Sequence, residues 1–111
     1  MDLTLFEDGS VTIVTLSGDL VIGEAEALFK KTVNRLIEEG KVRLVVDCTG
    51  LRYVDSSGLG ALVRALTTAQ RDGGAAKLLG VPSSLRKLLE LTRLDSVFEM
   101  FESREQAVSS F

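Results

Sequence analysis

The chain has no histidine, no tryptophan and a single cysteine among its 111 residues. Histidine is a common zinc ligand and the base of hydrolytic triads, so its absence argues against both chemistries. A serine nucleophile without a histidine base is likewise a poor candidate for a hydrolase. One cysteine, Cys48, cannot close an intramolecular disulfide. Set in an apolar run, it reads as a packing residue. No apolar run approaches the roughly 20 residues that a membrane span needs. The start, Met1-Asp2-Leu3-Thr4, lacks the basic and apolar regions of a signal peptide, so a cytoplasmic location is expected. Nor is there an excess of basic residues: 13 Lys and Arg face 16 Asp and Glu, interspersed, for a net charge of −3. A general nucleic-acid binder would show the opposite balance. At this length one domain over residues 1–111 is the natural reading.

What is there is organised around residues 42–66. Val42, Leu44, Val45 and Val46 form an almost continuous apolar run, as in a strand covered on both faces. Thr49-Gly50 is expected to end that strand just after Cys48. Beyond a short connector, Asp55, Ser56 and Ser57 are three consecutive candidates for a helix N-cap. Leu59, Leu62, Val63 and Leu66 then share one helical face. The chain thus delivers a carboxylate and two hydroxyls to a helix N-terminus. Gly58 and Gly60 leave the first turn without bulk, so another surface can approach. They do not form a nucleotide loop, because no Lys-Ser or Lys-Thr follows and the spacing is not a dinucleotide fingerprint.

The remaining elements alternate. Leu3 and Leu5 belong to a first strand, Asp8-Gly9 to a hairpin turn, and Val11 to Leu16 to a second strand that pairs antiparallel with the first. Ser17-Gly18-Asp19 is expected to close the hairpin. A helical stripe runs from Gly23 to Glu39, with glutamates at its positive end and Gly40 after its last turn. The strand Val42–Cys48 follows by a right-handed crossover. The helix from about Ser57 to Arg71 leads to a strand over Ala76 to Val81. Pro82-Ser83-Ser84 caps a helix carrying Leu85, Leu88 and Leu89. Val97 to Phe101 reads as a last short strand, and Ser103 to Gln106 as a capping box that opens a terminal helix. The sum is an α/β sandwich on a mixed sheet.

Tyr53-Val54-Asp55-Ser56-Ser57-Gly58-Leu59-Gly60 resembles the signature of the STAS domain of bacterial anti-sigma-factor antagonists. Leu16-Ser17-Gly18-Asp19-Leu20, Val45-Val46-Asp47-Cys48 and the segment Leu88 to Asp95 agree with that family in the same order. The resemblance implies a STAS-type sandwich of about five strands and four helices, with the hairpin antiparallel and the rest largely parallel. It implies a binding module without catalysis, cofactor or metal. In the family the serine directly after the signature aspartate accepts phosphate from a partner serine kinase, and Ser56 holds that place; Ser57 is the runner-up. The implied partner surface is Asp19, Asp55, Ser56, Ser57, Gly58, Leu59 and Gly60. The implied partners are an anti-sigma factor that is itself a serine kinase and a resetting serine phosphatase, with the chain a monomer that touches no nucleic acid directly. Unphosphorylated, it would hold the anti-sigma factor and so free a sigma factor.

Two positions depart from the family. Val21 stands where relatives often carry an aspartate, which bears on the choice of partner, and Arg93 stands where they often have glycine. The alternative role is a STAS subunit of another complex, such as an inner-membrane lipid transporter or a signalling assembly. Asp47, at the end of a central strand, invites comparison with a receiver-type phosphate acceptor. That chemistry also needs an early acidic pair and a late lysine, but Asp19 is solitary and no lysine follows Val97.

Overall fold

The computed structural model describes residues 1–111. Its elements run β1 (Asp2–Asp8), β2 (Val11–Leu20), α1 (Glu24–Glu38), β3 (Arg43–Val54), α2 (Ser56–Arg71), β4 (Ala75–Leu79), α3 (Ser83–Leu91), β5 (Met100–Phe101) and α4 (Arg104–Ser109). The five strands form one sheet in the order β1-β2-β3-β4-β5. Only the β1–β2 hairpin is antiparallel; β3, β4 and β5 each join in parallel. The expected mixed sheet with four helices is therefore present. No helix is long and apolar enough to cross a membrane.

The sheet separates two apolar layers. On one face Val14, Leu16, Leu44, Val46, Cys48 and Leu78 meet Phe29, Val33 and Leu36 of α1, Leu62, Ala65 and Leu66 of α2, and Leu85 and Leu89 of α3. On the other face Val11, Ile13, Val45 and Leu79 are covered by Ala107 of the short α4, with Phe101 and Val108 beside them. Burial on both faces explains why residues 44–46 read as an unbroken apolar run instead of an alternating one. Each fully buried aliphatic side chain contributes roughly 1.5–3 kcal/mol.

Two strands outrun their expected ends. β2 continues through Ser17-Gly18-Asp19 to Leu20, and β3 passes Thr49-Gly50 to reach Val54. The extensions pair with each other: Ser17 lies opposite Gly50, Gly18 opposite Leu51, Asp19 opposite Tyr53 and Leu20 opposite Val54. Gly50 permits this pairing instead of ending it. A Cβ there would lie 2.9 Å from Ser17 Cβ and 3.1 Å from the Leu16 carbonyl oxygen. The last strand is shorter than expected, because Val97 and Phe98 are taken up by turns in which their N–H groups donate to the Leu94 carbonyl. Phe98 is nonetheless buried.

Helix ends follow local chemistry. After α1, Gly40 (φ 82°) lets its own N–H reach the Ile37 carbonyl and the Lys41 N–H reach Leu36, the Schellman arrangement. Gly73 (φ 88°) closes α2 in the same way, onto Gln70 and Ala69. At α3 the position belongs to Arg93, the only non-glycine residue at positive φ (60°), with Leu94 N–H on the Leu89 carbonyl at 2.8 Å. The serines expected to cap α3 do not. Pro82 is the N-cap residue, no side chain bonds there, and Ser83 and Ser84 are exposed first-turn residues. At α4 the Ser103 hydroxyl accepts from the Gln106 N–H at 3.3 Å, as its spacing suggests.

One buried charge is satisfied from far along the chain. Lys77 of β4 donates from Nζ to the Ser110 carbonyl at 3.0 Å and hydroxyl at 2.8 Å. It pairs with Glu99 at 3.0 Å and lies 4.3 Å from the Phe111 ring centroid. The segment after α4 is thereby drawn onto the second face of the sheet.

Candidate functional site

The long β2–β3 pairing carries both strands to the same end of the sheet, where β3 passes at once into α2. Asp55, between them, is the N-cap of α2, with extended φ and ψ of −90° and −177°. Its Oδ1 accepts from the Gly58 N–H at 2.8 Å. Its Oδ2 accepts from the Ile22 N–H at 2.9 Å, in the loop after β2. Its own N–H donates to the Leu20 carbonyl at 3.3 Å. The backbone donors of Ile22 and Gly58, in that order of effect, hold the Asp55 carboxyl below the usual carboxylate range, against the opposing effect of desolvation. Of the three consecutive cap candidates, the chain uses the aspartate.

Ser56 is consequently not a cap. It is the first residue of α2, exposed, and none of the hydrogen bonds of this turn involves its hydroxyl. Ser57 is half-buried. The first turn of α2 holds no acidic residue, so its positive end is balanced by Asp55 alone. Leu59 turns into the core.

The two glycines of the turn differ. Gly58 is buried, and a Cβ on it would fall on the Leu20 carbonyl oxygen; its missing side chain seats α2 against the end of β2 and does not open space for a visitor. Gly60 is exposed and has no atom within 4 Å of where its Cβ would stand. Of the pair, Gly60 alone leaves free surface. Beyond it, an open groove along α2 is lined by Ser56, Gly60, Val63, Arg64, Thr67 and Leu94.

Asp19 is near but differently engaged. It lies opposite Tyr53 in the strand register, and its carboxylate accepts from Arg52 Nε at 3.3 Å and Nη2 at 3.2 Å. The exposed pair is worth less than about 1 kcal/mol. The turn of α2 thus gathers Asp55 to Gly60, while the Asp19 carboxylate bonds across the β2–β3 pairing to Arg52. Asp47 is used locally: Oδ1 accepts from the Thr49 N–H at 3.0 Å and hydroxyl at 2.7 Å.

Sequence reasoning passed over three exposed apolar residues around this turn: Ile22 at 71% exposure, Tyr53 at 59% and Leu91 at 83%. Tyr53 and Leu91 flank a second groove with Ser84, Lys87 and Leu88. Only the wish of such side chains to leave water marks them, and a sequence pattern does not reveal which apolar residues a fold leaves outside.

Comparisons with known proteins agree with this architecture. Residues 3–107 match the STAS domain model. The anti-sigma-B factor antagonist of Listeria monocytogenes is 31% identical over 84 residues, covering 72% of this chain and 74% of that protein. The crystal structure of a candidate anti-sigma factor antagonist from Thermotoga maritima superposes with a TM-score of 0.90 at 24% identity, covering 97% of this chain and 92% of that one. The phosphorylated form of the Bacillus cell fate determinant SpoIIAA superposes with a TM-score of 0.79 at 20% identity, over 98% of both chains. With a family match over almost its whole length, the chain belongs to the STAS domain family, among the anti-sigma-factor antagonists.

Proposed function

We propose that this chain is an anti-sigma-factor antagonist that binds its anti-sigma factor through the N-terminal turn of α2 and is released by phosphorylation of Ser56. The observation that carries this reading is the free, exposed Ser56 hydroxyl on the first residue of a helix whose cap is supplied by its neighbour. The partner is a serine kinase. The γ-phosphoryl group of ATP passes to Ser56 Oγ, the hydroxyl proton leaves, and ADP is the other product; a phosphatase restores the serine by hydrolysis. The chain is a substrate and has no catalytic step of its own.

Phosphorylation adds about −1.5 to −2 charges. A helix N-terminus welcomes such charge by roughly 0.3–1 kcal/mol, while ionised Asp55 next door opposes it. These local effects are similar in size, so the domain keeps its fold and the change falls on the partner. Covering a phosphate in an interface that fits a hydroxyl costs about 3 kcal/mol, or roughly a hundredfold in affinity. Incubation with the partner kinase and ATP tests the proposal. Acid-stable, hydroxylamine-resistant phosphate should map to Ser56, vanish in Ser56→Ala and persist in Ser57→Ala. Unchanged kinase binding by a natively folded Ser56→Asp would reject the switch.

A further inference from the structure

Although the chain is acidic overall, α2 has no acidic residue; its charges are Arg64 and Arg71. Arg64 lines the groove that begins at Ser56. It also lines a crevice between α1 and α2, with Lys30, Asn34 and Thr68 around a floor that includes Phe29 and Ala61. No carboxylate lines this crevice. All five ion pairs of the chain lie elsewhere, and neither Lys30 nor Arg64 has a carboxylate within 4 Å. The nearest acidic residues on α1 are Glu26, one turn before Lys30, and Glu38, which shares a neighbouring groove with Lys30, Lys31, Asn34 and Arg35. Two cations and an amide therefore stand together with no carboxylate in direct contact, and Arg64 joins them to the surface that starts at Ser56.

We infer that the partner-binding surface continues from the α2 turn along its exposed face to the Lys30–Asn34–Arg64 crevice, and that the cationic rim of this crevice meets an acidic segment of the protein partner. The inference rests on the proposed antagonist function. Charge complementarity identifies the occupant: guanidinium and ammonium groups without internal partners bind carboxylates, and Asn34 completes the polar rim. Lys and Arg pairs at an interface rim act strongly on association rate and its salt dependence. The placement also links the two ends of the surface. Arg64 lies eight residues after Ser56, about 12 Å along the helix, and lines both hollows.

The test is isothermal titration of the cognate anti-sigma factor with the full chain and with Arg64→Glu, Lys30→Glu and Asn34→Ala, at several salt concentrations. Both charge reversals should weaken binding by about ten- to a hundredfold at low salt, with a flatter salt dependence, while thermal melts stay unchanged. Asp or Glu reversed to Lys in the partner should restore binding to Arg64→Glu. Arg64→Glu and Lys30→Glu that bind as tightly as the unaltered chain would overturn this inference and leave the antagonist reading standing. Failure of the unaltered chain to bind the anti-sigma factor would overturn both. Duplex DNA that binds the chain and is lost in Arg64→Glu, with anti-sigma binding unaffected, would reassign the crevice to nucleic acid.

Discussion

The Asp55 carboxylate and the Ile22 backbone N–H, 33 residues apart, meet at 2.9 Å. Because the other carboxylate oxygen caps α2 at Gly58, one side chain fixes the loop after β2 and the start of the signature helix as a unit. Its pKa is held down by those two donors, so the folded state binds this proton less readily than the unfolded chain. The stabilisation is fully present above the ordinary aspartate pKa of about 3.9 and is lost as pH falls through the lower folded value. Denaturant melts between pH 5 and pH 2 should show a loss that is smaller in Asp55→Asn. Amide exchange at Ile22 and Gly58 should quicken in Asp55→Ala.

The two glycines of the signature turn should respond oppositely to alanine. A helical Gly→Ala change ordinarily stabilises by up to about 1 kcal/mol. At Gly60, with open space for a Cβ, Gly60→Ala should realise that gain. At Gly58 the new methyl meets the Leu20 carbonyl, and overpacking of this kind costs about 1–3 kcal/mol. Gly58→Ala should therefore melt several degrees lower, and Gly60→Ala a few degrees higher, by calorimetry.

Arg93 ends α3 in the left-handed region at φ 60°, which costs a non-glycine residue about 1 kcal/mol or more. Arg93→Gly keeps the Leu94-to-Leu89 hydrogen bond and removes the crowding. The melting temperature should rise by roughly 5 °C, with the spectrum of the fold unchanged.

Cys48 is fully buried among the apolar residues of the main core. Desolvation, aided by nearby Asp47, pushes its thiol up to about 12. The thiolate is the reactive species, so an aromatic disulfide reagent at pH 8 should label native protein only as fast as it unfolds. Full denaturation should release one thiol per chain.

The central alternation of strand and helix was legible because burial leaves a mark on every residue: the apolar run at 44–46, the stripe at Leu59, Leu62 and Leu66. Strand ends were less so. Ser17, Gly18 and Gly50 have the composition of turns, yet parallel pairing of Ser17 with Gly50 and of Gly18 with Leu51 carries both strands on, a relation between residues 33 positions apart. The same distance hid the pairing of Asp19 with Arg52 and of Lys77 with Ser110. At the candidate site the order of residues named the helix start but not which of three caps would win. Asp55 alone of the three has two acceptor oxygens, and it uses one on the helix at Gly58 and the other on the loop at Ile22. Gly58 and Gly60 look equivalent in sequence, and only the fold tells which one points inward.

The six-residue α4 is what shields Val11, Ile13, Val45 and Leu79. Recombinant fragments trimmed ahead of Arg104 would lay bare a greasy plate on the back of the sheet and invite clumping. Affinity handles and fluorophores intended for partner assays are better attached where they leave residues 104–111 seated.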